Sequence, residues 1–126
     1  MSTPLGLQLY TLRDSLTDDF DGTIRRVAEI GYAGVETDEF PGTTPAMARA
    51  LCDDLGLKVV ACHGPLPLGE TRQQAIELAG ALGTTRLVVP WLDPEHFESR
   101  YRIDETADLL NIAAAEARSA GLQLAY

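Results

Sequence analysis

Leu55-Gly56-Leu57-Lys58-Val59-Val60-Ala61-Cys62-His63-Gly64-Pro65 carries the pattern that decides the fold. A helical stretch ending in Leu55 stops on glycine, the residue that most readily takes the left-handed conformation just past a helix. An apolar run follows at once and closes on a histidine before a Gly-Pro turn. The same order of events recurs in Ile30-Gly31-Tyr32-Ala33-Gly34-Val35-Glu36, in Leu82-Gly83-Thr84-Thr85-Arg86-Leu87-Val88-Val89-Pro90 and in Ala120-Gly121-Leu122-Gln123-Leu124-Ala125-Tyr126. With one more apolar run near the amino terminus, these are strands alternating with helices at nearly constant spacing, which describes parallel βα units.

Working outward, the first strand is predicted over Leu5 to Leu12, with Leu7, Leu9 and Thr11 on one face and Gln8, Tyr10 and Leu12 on the other. Phe20, Ile24, Val27 and Ala28 recur at helical spacing before Gly31, and the second strand is expected from Ala33 to Thr37. Thr44 as N-cap and Pro45 at the first helical position open the next helix, whose stripe is Met47, Ala48, Leu51 and Leu55. Thr71 and Gln74 have capping-box spacing ahead of the stripe Ala75, Leu78, Ala79 and Leu82. Asp93-Pro94 begins a longer loop or short extra helix, where His96 reads as surface while Phe97 and Tyr101 can pack over the fourth strand. An alanine-rich last helix is predicted from near Asp104 through Leu109, Leu110 and Ile112 to Ala120.

Short strands rich in Val and Leu belong to sheets covered on both faces. Right-handed crossovers allow two closures: a parallel (βα)4β segment of a TIM (β/α)8 barrel, or a five-stranded doubly wound sheet. A full barrel takes about 250 residues. The 126 residues therefore supply about half, and the expectation is a single barrel domain over 1–126, truncated after its fifth strand.

Ten basic residues against nineteen acidic leave a net charge of -9, with both signs spread along the chain. Nucleic-acid binding draws on clustered Lys and Arg, so that class of partner is not expected. Neither a signal-peptide pattern nor a run of about eighteen apolar residues occurs, which predicts a cytoplasmic protein without a membrane partner. Cys52 and Cys62 form no C-x-x-C pair and read as small core residues.

In parallel α/β folds, ligands collect at the carboxyl ends of the strands. Tyr10, Arg13 and Asp14 stand there after the first strand, Glu36, Asp38 and Glu39 after the second, His63 after the third, and Trp91 and Asp93 after the fourth. Glu36 ends a strand with no other charge and is a candidate acid or base, or else a carboxylate bonded to loop amides. His63, fixed by the Gly64-Pro65 turn, is the second catalytic candidate, against the alternative of a structural histidine. Trp91 offers a flat face for a sugar ring or packs under the next loop. Asp38 with Glu39 is a carboxylate pair only in sequence, since neighbours on a strand point apart. The sequence holds no G-x-G-x-x-G, no phosphate-loop G-K-[ST] and no G-x-S-x-G. Glu36 and His63 fall short of the three or more protein ligands that a catalytic divalent ion takes, so no metal residues are assigned.

Gly6-Leu7-Gln8-Leu9-Tyr10-Thr11-Leu12-Arg13-Asp14, the Ile30 to Glu36 stretch and Ala61-Cys62-His63-Gly64-Pro65, taken in order, resemble the amino-terminal half of the sugar phosphate isomerase/epimerase family of xylose isomerase-like TIM barrels. The resemblance implies a metal-dependent isomerase or epimerase of carbohydrate metabolism that moves a proton between adjacent carbons of a sugar or cyclic polyol. It carries over Glu36 and His63 as catalytic and Tyr10 and Trp91 as substrate-binding. The family's main metal ligands lie on later strands, so a divalent metal ion is expected in the complete enzyme and not tightly on this chain, which is expected to be inactive alone. Related DNA-repair endonucleases use histidines near this place for zinc, but the acidic charge argues against their activity. The alternative is a non-enzymatic half-barrel module, and open edges at the first and fifth strands predict a homo-oligomer.

Overall fold

The computed structural model describes residues 3–126. Strands β1 (Gly6–Gln8), β2 (Gly34–Thr37), β3 (Lys58–His63), β4 (Arg86–Val88) and β5 (Gln123–Ala125) form one sheet, all parallel, in the order of the sequence. A doubly wound sheet would reverse its strand order around an early strand. The sequential order excludes that alternative and leaves the barrel segment, an incomplete ring.

Helices α1 (Arg13–Asp18), α2 (Phe20–Ile30), α3 (Pro45–Asp54), α4 (Arg72–Leu82) and α5 (Arg100–Ser119) lie between the strands in sequence. They cover one face of the sheet. Ile24 and Val27 of α2, Cys52 of α3, Ala79 and Leu82 of α4 and Ala117 of α5 are buried in one cluster with Val35 of β2 and Leu87 of β4. Burying an Ile or Leu fully is worth about 1.5–3 kcal/mol, so this layer supplies most of the stability. The helix-closing glycines behave as the pattern predicts: Gly31 and Gly83 sit at φ 103° and 67°.

Four local expectations fail. β1 stops at Gln8, and Leu9–Leu12 form a 3-10 turn leading into α1. Leu9 and Leu16 are both buried there, because Leu9, Leu12 and Leu16 also repeat at helical spacing and that period prevails. Thr71 makes no capping box: its hydroxyl contacts the carbonyls of Leu66 and Leu68, at 2.6 and 2.9 Å, leaving it turned from the helix. Met47 points outward at 63 % exposure, and Cys52 takes the inner stripe of α3 with Ala48. Finally, α5 begins at Arg100 with Ser99 as its cap, accepting from the Arg102 amide, and its buried side chains are Thr106, Ala113 and Ala117, with Ile112 outside. Among the described residues, no helix is long and apolar enough to cross a membrane.

Candidate functional site

A single irregularity in the sheet places the reactive groups. Val35 pairs with Val59, but the next residue, Glu36, pairs with Ala61, so Val60 is the extra residue of a bulge. Side chains alternate along a strand, and one inserted residue exchanges the faces of everything beyond it. Val59 and Cys62 both face the helices as a result, while Ala61 and His63 share the opposite, concave side with Glu36. Without the bulge His63 would point into the helical layer.

On the concave side His63 is held from both ends. Its Nε2 lies 2.8 Å from Glu36 Oε1 and its Nδ1 2.9 Å from Asp38 Oδ1. Gln8, at the end of β1, donates from Nε2 to the same Glu36 oxygen at 3.0 Å. The imidazole is 8 % exposed and the two carboxylates 24 % and 18 %, so the group is shielded yet open on one side. An ionised carboxylate can only accept, so a hydrogen on the facing ring nitrogen serves each contact. Two carboxylates flank one imidazole, so their formal charges outnumber any that the imidazole can carry. Moving a proton between Glu36 and Nε2 preserves both contacts, which is the property of an acid–base relay.

Above this relay is an open cleft of about 540 Å³, lined by Gln8, Asp38 and His63 at its base and by Tyr10, Trp91 and Tyr126 among its walls. The walls are braced. Arg13 lies 4.7 Å over the Tyr10 ring, and Phe97 stacks on Tyr126 with centroids 6.1 Å apart. Trp91 is 63 % exposed, so it faces the cleft and is not packed under the following loop.

All four residues singled out from the sequence thus stand at one end of the sheet. Glu36 and His63 touch each other, and Tyr10 and Trp91 line the cleft above them. Gln8 and Tyr126 carry no such signal in the sequence, and Asp38 stands among the strand-end residues there without a role of its own. The alternation that separates Asp38 from Glu39 aligns it with Glu36. His96 is not free surface: its Nδ1 is 3.0 Å from the buried Thr106 hydroxyl, tying the 3-10 turn Pro94–Phe97 to α5. Tyr101 stays 68 % exposed and packs over nothing. Cys62 sits behind the relay in the core, and burial, with Glu36 close by, pushes its thiol up to about 11.

Neither a scan against protein-family models nor a search of curated proteins finds a match. Solved structures do match. A sugar phosphate isomerase/epimerase from Parabacteroides distasonis ATCC 8503 superposes with a TM-score of 0.77 at 22 % identity, over 98 % of this chain and 50 % of its own. The fold is that of part of a TIM barrel. An AP endonuclease, family 2, from Brucella melitensis gives 0.66 at 18 % identity over 97 % of this chain and 54 % of its own. A xylose isomerase-like TIM barrel protein from Mycobacterium smegmatis, in complex with magnesium, gives 0.61 at 15 %, over 96 % and 53 %. The chain thus spans about half the length of these proteins, and at such identities the likeness is one of fold.

In this barrel segment the donor set does not by itself fit a metal ion. Both nitrogens of His63 already face carboxylates, and no group of three or more His, Cys, Asp or Glu able to hold an ion occurs among the described residues. His63 Nε2 and Glu36 are two donors, with Asp38 behind the imidazole in the orienting position that carboxylates take toward metal-bound histidines.

Proposed function

We propose that this chain provides the polyol-binding and proton-moving part of an isomerase or epimerase barrel acting on a sugar or cyclic polyol. The observation that carries it is the unbroken Asp38–His63–Glu36 contact chain at the floor of an aromatic-walled cleft. In the proton-transfer route, isomerisation or epimerisation of the open-chain or keto form begins with removal of a proton from the carbon next to its carbonyl. The C–H electron pair passes into a carbon–carbon double bond, the carbonyl becomes an enediolate, and a proton then returns to the neighbouring carbon or to the other face. Glu36 as the base takes that proton, His63 gives or accepts the compensating one, and Asp38 keeps the imidazole in register. Tyr10, Trp91 and Tyr126 present flat apolar faces to the C–H side of a sugar ring. A divalent cation of the complete barrel would need further ligands from outside this chain.

Backbone amide resonances of the chain, titrated with glucose, fructose and inositol, test this reading. Shifts should concentrate at the carboxyl ends of β1 to β4, and Glu36→Gln and His63→Ala should weaken them about tenfold with the rest of the spectrum unchanged. Shifts absent, or confined to the helical layer, would remove the proposal. A second reading, a half-barrel module that self-associates, is favoured by one observation: among the described residues β1 and β5 each pair on one side only.

A further inference from the structure

The charge of the cleft bears on which polyols it admits. A phosphate monoester carries nearly two negative charges at neutral pH and is bound where lysine, arginine or converging backbone amides meet it. Among the described residues lining this cleft there is no lysine or arginine. Its floor instead holds Asp38 with Glu36 just beneath, two carboxylates that a single imidazole cannot outbalance.

The cations that could offset this are committed or distant. Arg13 lies against the Tyr10 ring and donates from a guanidinium nitrogen to the Tyr10 carbonyl at 3.2 Å. Lys58 and Arg86 begin β3 and β4, so they occupy the amino-terminal side of the sheet, where they line a separate hollow with Gly83 and Thr84. What the cleft does offer is hydrogen-bond acceptors for hydroxyl groups, the Gln8 amide, and three aromatic faces that gain nothing from a charge. Every one of these suits a neutral ring bearing hydroxyls.

Resting on the polyol reading above, we infer that the site selects an unphosphorylated cyclic sugar or polyol and rejects its phosphate ester. Like charges brought together in a partly shielded cleft repel more strongly than in water, so the ester binds at least about tenfold more weakly. Discrimination comes from the floor, not from the size of the cleft.

Trp91 is the single tryptophan of the chain, so its fluorescence reports on the cleft without a label. Titrations with inositol against inositol monophosphate, and glucose against glucose 6-phosphate, should give a response to each neutral compound and a response at least tenfold weaker to each ester. Asp38→Asn and Glu36→Gln, each removing a carboxylate, should narrow that gap. An ester that binds as well as its parent compound overturns the inference and leaves the polyol reading standing. A gap that neither substitution narrows overturns it as well, because its electrostatic cause would be wrong. Silence toward all four compounds, together with unmoved amide resonances, removes the polyol reading and this inference with it.

Discussion

Cys52 and Cys62 illustrate what burial does to single residues in this chain. Both are 1 % exposed or less, and burial raises each thiol from 9.0 to about 11, with Asp53 adding to the effect at Cys52 and Glu36 at Cys62. The folded chain holds these protons where the unfolded chain has released them. Stability from this source is therefore complete below pH 9 and is lost as pH rises through about 11, by about 2–3 kcal/mol per thiol. Urea denaturation at a series of pH values should show the fall, and the doubly substituted Cys52→Ala, Cys62→Ala chain should show a shallower one. Equal slopes would mean that the thiols titrate alike in both states. The sequence made this burial legible for Cys62, which stands within an apolar strand, and less directly for Cys52, which lies one helical turn after Ala48 but just before Asp53 and Asp54. It also made Glu36 and His63 legible, because a lone charge or imidazole ending an apolar strand has few other places to go. Asp38 was hidden by a matter of geometry: its significance depends on a partner two residues away and on a histidine from another strand, and only the first of these can be counted along the chain.

The element that decides the site is the β2–β3 pair with its bulge at Val60. Gly34 makes that irregularity possible, for a methyl group on its α-carbon would lie 2.6 Å from the Lys58 carbonyl oxygen and 3.0 Å from a methyl of Val60. Backbone cannot retreat from such a contact without moving the strand. Gly34→Ala should accordingly lower stability by about 1–3 kcal/mol, the usual cost of overpacking. It should also weaken the Trp91 response to inositol, although Gly34 does not line that cleft. Thermal unfolding and the fluorescence titration give the two readings, and an unchanged titration would show that the bulge does not set the position of His63. Strand order, glycine stops and most helix stripes could be read from apolar spacing, which reports how a segment buries one face. A bulge leaves no such trace. Val59-Val60-Ala61-Cys62 is apolar throughout, so nothing along it marks where alternation slips, and the end of β1 is ambiguous for a related reason, as Leu7, Leu9 and Leu12 satisfy strand and helix periods in turn.

Across the whole molecule, the helical layer protects one face of the sheet, while the other has no covering layer among the described residues, although Ala61 and His63 are buried within it. Val60 is 37 % exposed, and alternation from the buried Leu87 puts Arg86 and Val88 on the same concave side. At the borders, β1 and β5 each present one row of backbone donors and acceptors with no partner strand among the described residues. Unpaired edges of this kind recruit other strands, and two copies related by a two-fold axis can join β5 of each to β1 of the other, closing a ring that buries both concave faces. We propose that the isolated chain associates in this way. Light scattering should give a mass that rises from monomer toward dimer with concentration, and replacing Val60 on the concave face with aspartate should shift the rise to at least about tenfold higher concentration by placing like charges in the interior that the ring would enclose. A monodisperse monomer with well-dispersed amide resonances at every concentration would count against it, since the edges would then be protected without a partner. Association would also bear on the cleft, because its walls come from β1 on one border and from Tyr126 beyond β5 on the other, the two edges that such a joint brings together. Binding of inositol followed through Trp91 should therefore strengthen over the same concentration range in which the mass rises.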